Sequence, residues 1–251
     1  MWPKDTISRL EKKPTVKERE EILDFLCKTL EDDPVHSRQF GQSKDSERAY
    51  FLTVLGPEYD AEKDNTNSPK ICDVWTLRSG LTRELQSVLL HRGWEDIKRM
   101  MTKQEDNEPY IKKMWSNLPA ETEEWTRNQF NRAFEHAEYC LPFRERNGAD
   151  CIEFLVTKPS PTREKHQDRL MSEFMNSMNW GYDHLKTFAV DEAQVEFFKS
   201  FGFTVGEESN LRNKWASSHT ANEDSDAESE QANAASSTGN NKPGLSSCTN
   251  M

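Results

Sequence analysis

The sequence of 251 residues predicts an α/β fold, in which a mixed, twisted sheet is flanked by helices and followed by a disordered C-terminal tail. Two observations carry this prediction. Between residues 151 and 205, short apolar runs alternate with amphipathic runs of helical period, which is typical of helices packed on a sheet. From residue 216 onward, Ser, Ala, Asn, Glu and Asp dominate, and such a segment cannot offset the entropy of ordering. We therefore divide the chain into an N-terminal extension (1–13), one folded domain (14–215) and the tail (216–251).

The first predicted helix has a clear start and a clear end. Thr15 and Glu18 form the pattern of a capping box, which satisfies the first backbone N–H groups of a helix. Apolar residues then recur on one helical face at Ile22, Leu23, Leu26 and Leu30. Pro34 restricts the residue before it to extended backbone, so the helix is expected to end just upstream.

Four further elements are expected before residue 141. A helix is predicted over residues 46–55, where Gly56-Pro57 stops it, and a strand is predicted over residues 71–77. Broad apolar stripes predict helices over residues 82–101 and 120–140. The polar segment 58–70 is interpreted as a loop.

The second half of the chain predicts an alternation of strands and helices. Strands are expected at 151–157, 185–190 and 203–205, and helices at 163–178 and 192–201.

Composition excludes several classes of function. The formal net charge of -11 argues against a general nucleic-acid binder, because contacts with phosphates require a surplus of Lys and Arg. The five cysteines are scattered without a CxxC pair, which favours reduced thiols over a disulfide framework, and no metal site is predicted. Neither an apolar signal-peptide core nor a run of transmembrane length is present. We therefore expect a soluble cytoplasmic protein without a membrane partner, and a nuclear location is also compatible.

Three segments of the second half occur in a recognisable order. Residues 154–159 (FLVTKP) read as a strand ending in an apolar-x-x-Pro pattern, residues 159–171 follow as a loop and helix without a gap, and residues 195–203 read VEFFKSFGF. Together with residues 26–40 (LCKTLEDDPVHSRQF), they resemble the GCN5-related N-acetyltransferase superfamily, and most of all its puromycin-acetyltransferase-like branch in fungi and bacteria. The resemblance implies an acyl-CoA N-acyltransferase fold over roughly residues 14–215.

This resemblance also implies a reaction and a set of binding residues. The expected reaction transfers an acetyl group from acetyl-CoA to an amine of a small molecule or a protein. Backbone N–H groups near Leu155, Val156 and Thr157 would polarise the thioester carbonyl. The loop that binds the cofactor in this family corresponds here to Arg163, Glu164, Lys165, His166 and Gln167, preceded by Thr162.

The loop departs from the family's Q/R-x-x-G-x-G/A pattern because it contains no glycine. Glycines let the backbone approach a pyrophosphate at a helix N-terminus, where the macrodipole favours negative charge. Two interpretations remain open. Arg163, Lys165 and His166 would hold phosphate with their side chains, or the site is degraded and the helix remains as scaffold.

Two further positions bear on catalysis. Glu153 lies where many family members carry a catalytic carboxylate, although an edge or solvent-facing strand residue is the plainer interpretation. For His36, a histidine in a surface turn is the plainer interpretation. Phe198 stands where the family commonly has a tyrosine that protonates the departing thiolate, and general acid help is worth about 10²–10⁴-fold. The missing glycines and Phe198 favour an alternative function, a catalytically inactive protein of this fold that acts as an interaction or regulatory module.

Overall fold

A computed structural model describes most of the chain, namely residues 4–10, 15–41, 43–55, 72–93, 112–139, 141, 149–178, 185–189, 191–210 and 244–250. Within these ranges the strands are β1 (Thr6–Leu10), β2 (Asp73–Arg78), β3 (Leu85–Arg92), β4 (Asp150–Thr157), β5 (Leu185–Ala189), β6 (Thr204–Asn210) and β7 (Gly244–Asn250). The α-helices with assigned bounds are α1 (Val16–Leu30), α2 (Pro34–Phe40), α3 (Lys44–Leu55), α4 (Ala120–Trp125), α5 (Asn131–Tyr139), α6 (Arg163–Ser177) and α7 (Glu192–Ser200), and the π-helical turn Thr126–Phe130 joins α4 to α5. No helix in these ranges is both long and apolar enough to cross a membrane.

The described strands form one mixed sheet in the order β1-β2-β3-β4-β5-β7-β6. Neighbours from β1 to β4 are antiparallel, β4 and β5 are parallel, and β7 is antiparallel to both β5 and β6. The predicted α/β architecture is therefore confirmed.

Helices cover both faces of the sheet, and strand alternation divides the core accordingly. On one face, α1 and α3 pack against a cluster that includes Val74 of β2 and Val88 of β3. On the other face, α6 and α7 pack against Trp75 of β2 and Leu89 of β3. Phe51 of α3 and Phe174 of α6 are the largest fully buried side chains of the two clusters.

The elements with strong local signals form as predicted. At the start of α1, Glu18 N–H donates to Thr15 Oγ1 over 3.3 Å, and Thr15 N–H donates to Glu18 Oε2 over 2.9 Å. Both halves of the capping box are therefore present. The predictions for residues 46–55, 71–77 and 120–140 and for the alternation after residue 150 are confirmed to within a few residues at each end, except that β6 continues past the predicted 203–205 to Asn210.

The helix predicted over residues 82–101 is wrong, because Leu85–Arg92 forms the central strand β3. Both faces of this strand are covered, so Leu85, Val88, Leu89 and Leu90 are all buried and no alternation of polar residues marks it as a strand. A short continuous apolar run has the same appearance in a buried strand and in a helix. Residues 94–101 of this prediction, and the loop predicted at 58–70, lie outside the described residues.

Two strands come from segments that were assigned to the ends of the chain. β1 lies in the predicted N-terminal extension and pairs with β2, from Thr6 opposite Arg78 to Leu10 opposite Val74. β7 lies in the predicted disordered tail, and it fills the position between β5 and β6. For Gly244–Asn250 the structure thus differs from the predicted disorder. Small polar residues such as Ser246 and Ser247 form a strand here because the edges of β5 and β6 supply backbone hydrogen bonds on both sides. Residues 211–243 of the predicted tail lie outside the described residues.

A buried charged cluster crosses the three neighbouring strands β2, β3 and β4. His91 of β3 lies between Asp73 of β2 and Asp150 of β4, with Nδ1 3.7 Å and Nε2 3.3 Å from their carboxylates. Arg9 contacts Asp73 over 2.6 Å. Burial lowers the pKa of His91, but the carboxylates of Asp150 and Asp73 raise it by more, so the net pKa is raised above 6.5.

The raised pKa of His91 predicts a pH-dependent contribution to stability. The protonated imidazolium is favoured in the folded state, so this contribution is fully present below about pH 6.5, the unfolded value, and is lost as the pH rises through the folded value. We expect the difference in unfolding free energy between the wild type and a His91→Gln variant to shrink as the pH rises. Urea unfolding of both proteins between about pH 5 and pH 9 measures this difference. A difference that grows with pH would contradict the assignment.

The position of β7 predicts that the end of the chain contributes to stability. A chain that stops at residue 215 leaves the facing edges of β5 and β6 without their partner. We expect its unfolding midpoint to fall by about 10 °C. The loss of even three net backbone hydrogen bonds of about 1 kcal/mol each removes about 3 kcal/mol, and each kcal/mol shifts a domain of this size by about 2–4 °C.

A matched deletion separates β7 from the rest of the tail. Because Asn210 lies opposite Gly244, a chain that lacks residues 216–239 can still join β6 to β7 by a short connection. This deletion should unfold close to the wild-type midpoint in the same thermal scan. Equal midpoints for the two shortened chains would show that β7 contributes nothing.

Candidate functional site

The divergence of β4 from β5 creates the candidate site. The two strands pair through residues 150–152 of β4 and 185–187 of β5. Beyond these pairs, β4 continues to Thr157 while β5 ends at Ala189, and Asp191 then caps α7. In the described part of the chain, the edge of β4 after Ile152 has no strand partner on this side.

A cavity of about 570 Å³ occupies the gap. One wall is the edge of β4 from Glu153 to Val156, and the others come from the first turns of α6, the end of β5 with the start of α7, and a group of residues around α2 and α3. The structure thus brings into one cavity the strand and the loop that the sequence predicted to bind the cofactor.

The backbone of β4 presents hydrogen-bond donors to this gap. Lys158 N–H donates to Gln86 C=O over 2.8 Å, so these two residues form a hydrogen-bonded antiparallel pair. Such pairs alternate along the ladder, and the backbone groups of Leu155 and Thr157 therefore point away from β3. The hydroxyl contact of 2.9 Å between Ser87 and Thr157 fits this register, because side chains approach most closely in the pairs without hydrogen bonds.

A β-bulge in β4 determines where Glu153 lies. The register with β3 shifts between Leu90 and His91, so that Glu153 is the additional residue between Ile152 and Phe154. As a result, Ile152 packs on the α6 face of the sheet and Phe154 on the α3 face, although they are two residues apart.

Glu153 is held by a buried cation. Its Oε1 lies 3.2 Å from Nη1 of Arg92, whose side chain is 8% exposed. Burial lowers the pKa of Arg92, but Glu153, together with Cys72, Cys151 and Tyr50, raises it by more, so the net pKa is raised and the guanidinium stays charged. Glu153 lines the cavity, and it also compensates a charge in the core. Glu153 thus lies at the open edge of β4 with its side chain partly exposed, and its catalytic role stays a prediction.

The predicted loop residues divide between two directions. Arg163, Glu164 and Gln167 line the cavity, whereas Lys165 is exposed and does not. His166 faces the N-terminal strand instead, with Nε2 3.8 Å from the carboxylate of Asp5. This division follows the helical period, since successive side chains of α6 are rotated by about 100°.

The first turn of α6 has backbone N–H groups that can donate hydrogen bonds to a ligand. Thr162 makes no side-chain cap, and the first helical bonds are Arg163 N–H to Ser160 C=O and His166 N–H to Thr162 C=O. Among the described residues, the N–H groups of Glu164 and Lys165 have no acceptor. The positive end of α6 therefore lies at the cavity without glycine in its first turn.

The sequence prediction missed a buried contact between a histidine and a glutamate on the opposite wall of the cavity. His36 Nε2 lies 2.8 Å from Glu47 Oε1, and both residues are buried. The imidazole stacks on Phe51 at 5.4 Å and meets Phe40 edge-on at 4.7 Å. The interpretation of His36 as a surface turn residue is therefore wrong. The available signals were the cap residue Asp33 before α2 and the acidic residues in the first turn of α3, but nothing local showed that the two helices meet.

Phe198 of α7 lies where the expected tyrosine would stand, and it packs against Phe203 and Phe197 at ring separations of 5.4 and 5.3 Å. Its ring lines the cavity without a hydroxyl. Tyr50 of α3 also lines the cavity, and burial, followed by the charge of Glu153, raises its pKa well above the usual range. Tyr50 is therefore a neutral hydroxyl at neutral pH.

Comparisons with known proteins give distant structural matches. No protein-family model matches the chain, and no curated protein matches it in sequence. Among solved structures, mosquito arylalkylamine N-acetyltransferase like 5b is 11% identical, with 97% of this chain and 99% of that chain covered and a TM-score of 0.49. Drosophila melanogaster polyamine N-acetyltransferase is 10% identical, with 97% and 99% covered and a TM-score of 0.49.

Arylalkylamine N-acetyltransferase 2 from Aedes aegypti is 13% identical, with 98% and 99% covered and a TM-score of 0.45. At these identities and TM-scores the matches carry no weight for function, which has to be inferred from the site itself.

The ion pair between Glu153 and Arg92 predicts a large cost for removing one partner. Glu153→Gln leaves the buried guanidinium of Arg92 without its carboxylate, and we expect a loss of about 3 kcal/mol in unfolding free energy. The double variant Glu153→Gln with Arg92→Met removes both charges and should recover most of that loss. Urea unfolding of the single and double variants measures the coupling. A single variant as stable as the wild type would show that the pair has no structural role.

Proposed function

We propose that this protein is an N-acyltransferase of the GCN5-related type, which transfers an acetyl group from acetyl-CoA to an amine. The observation that carries the proposal is the open edge of β4, which lines the same cavity as the N-terminus of α6. The strand edge offers hydrogen bonds for an amide or a thioester carbonyl, and the helix end favours an anion. Acetyl-CoA contains both kinds of group in one molecule. The puromycin-acetyltransferase-like branch stays a prediction.

Backbone N–H groups are better placed than side chains to bind acetyl-CoA. The N–H groups of Leu155 and Thr157 point into the gap and would polarise the thioester carbonyl, whereas the backbone groups of Val156, between them, are directed at β3. The N–H groups of Glu164 and Lys165 would face the pyrophosphate. Bound acetyl-CoA would supply the activated acyl group and the thiolate leaving group.

The side chains of the loop contribute less than the sequence suggested. Arg163 is the cation of this turn that lines the cavity, and it stands beside the carboxylate of Glu164. The side-chain model of phosphate binding is therefore retained for Arg163, whereas Lys165 and His166 are directed elsewhere. Gln167 lines the cavity as a neutral polar group.

A second function, a catalytically inactive interaction or regulatory module, is favoured by two observations. Phe198 removes the expected proton donor, and Glu164 and Asp168 place carboxylates where the phosphates would approach. Such a protein would keep the cavity and lack affinity for acetyl-CoA. The two functions differ in one measurable property, the binding of the donor.

Ligand-dependent stability distinguishes the two functions. With acetyl-CoA at about 100 times its dissociation constant, the folded state gains about 2.7 kcal/mol, which corresponds to an increase of about 5–10 °C in the unfolding midpoint. We expect this increase in thermal scans with acetyl-CoA up to millimolar concentration. Release of free thiol with propylamine, phenethylamine, putrescine or a lysine-containing peptide then reports turnover. An unchanged midpoint at millimolar acetyl-CoA would reject the enzyme and favour the inactive module.

Two neighbouring cations provide a matched test of the loop. Arg163 lines the cavity, while Lys165 has the same charge and is exposed outside it. We expect Arg163→Gln to weaken acetyl-CoA about fivefold, since an exposed charge contact is worth about 1 kcal/mol, and Lys165→Gln to leave the affinity unchanged. Calorimetric titration measures both. An equal loss in the two variants would indicate a general charge effect rather than contact with the phosphates.

A further inference from the structure

His36 occupies a position from which it can accept a proton inside the cavity. Its backbone is fixed at the start of α2, where its own N–H donates to Asp33 Oδ1 over 2.8 Å. Phe51 and Phe40 hold the plane of the imidazole. The ring lines the same cavity as the edge of β4 and belongs to the wall opposite α6.

Glu47 determines which ring nitrogen of His36 can accept a proton. A carboxylate has no hydrogen to donate, so in the 2.8 Å contact Nε2 carries the hydrogen and Glu47 Oε1 accepts it. The lone pair of the neutral ring is then on Nδ1, which makes no hydrogen bond among the described residues. A carboxylate in this arrangement also stabilises the imidazolium that forms when Nδ1 takes up a proton.

We propose that His36 is the general base of the acyl transfer, with Glu47 as its positioning residue. This inference rests on the proposed function. An alkylamine is almost entirely an ammonium ion at neutral pH, so one proton must leave nitrogen before it attacks. Nδ1 of His36 accepts that proton, the nitrogen forms a bond to the acyl carbon, and the carbon–sulfur bond breaks. The second proton lost by nitrogen neutralises the thiolate, so the products are the amide, free coenzyme A and protonated His36.

Three of the other carboxylates that line the cavity already have partners, whereas those of Glu164 and Asp168 belong to the wall formed by α6. Glu153 is paired with Arg92, and Asp33 and Asp191 accept the cap hydrogen bonds of α2 and α7. Glu47 of α3 contacts the ring of His36, and the charged residues that line the same cavity are Asp33, Glu153 of β4, Asp191 before α7, and Arg163, Glu164 and Asp168 of α6. Arg38 of α2 is directed to Trp125 of α4, 4.7 Å from its ring.

The pH dependence of turnover tests this role. We expect His36→Gln to lower kcat/KM about 100-fold at pH 7 for the fastest amine among propylamine, phenethylamine and putrescine. The deficit should shrink as the pH approaches about 10, because free amine then forms without a base. A purely structural defect would not be repaired by alkaline pH. The matched control is His136→Gln on α5, which changes an exposed histidine that does not line the cavity and should leave the profile unchanged.

Further measurements keep the test decisive if His36→Gln folds poorly. ¹⁵N NMR of wild-type His36 should show hydrogen on Nε2, and Glu47→Gln should weaken that preference and lower turnover about tenfold at neutral pH. Hydrogen on Nδ1 would overturn the proposal. A wild type that turns over amines, together with a His36→Gln variant of the same pH profile, would overturn the role of His36 alone. A wild type that neither binds acetyl-CoA nor acetylates any amine would overturn the proposed function and this inference together.

Discussion

The short parallel pairing between β4 and β5 is the constraint on which the site depends. Three residue pairs hold the two strands together, from Asp150 with Leu185 to Ile152 with Thr187. The bulge at Glu153 follows immediately, and a bulge bends its strand and increases the local twist. Past this point a continued ladder would have saturated the edge of β4 with backbone hydrogen bonds. The divergence instead leaves Leu155 directed at a cavity, and it separates α6 from α7 by the width of that cavity.

The far side of β5 explains how so short a strand keeps its position. β7 pairs with all five residues of β5, from Leu185 opposite Asn250 to Ala189 opposite Ser246, and it also pairs with β6. The strand that borders the cavity is thus anchored mainly by the end of the chain and only briefly by β4. A domain boundary at residue 215 omits this support, because composition alone gives no indication that a Ser-rich segment completes a sheet.

The sequence predicted the elements whose signals are local and missed those whose signals depend on distant partners. The cap at Thr15 and the amphipathic face of α6 are properties of neighbouring residues, so the start of α1 and both ends of α6 were predicted to within one residue. β3 is covered on both faces, and its apolar run is therefore ambiguous until its neighbours are known. The contact between His36 and Glu47 requires α2 and α3 to meet, which no periodicity records. The bulge at Glu153 is likewise a property of the pairing with β3, and it decides that this carboxylate meets Arg92.

The absence of glycine in the first turn of α6 has a narrower consequence than the sequence suggested. Of this turn, Arg163 and Glu164 line the cavity and nearly cancel in charge. Lys165 and His166 are directed away from it and leave the approach open. What remains at the cavity is the helix end itself, with backbone donors at Glu164 and Lys165 and a partial positive charge that no side chain has neutralised through a cap. Glycine would allow closer approach, but the donors belong to the backbone and do not depend on it. Under the proposed function, crowding by Glu164 and Gln167 would reduce the affinity for acetyl-CoA, while the helix end would still attract its phosphates.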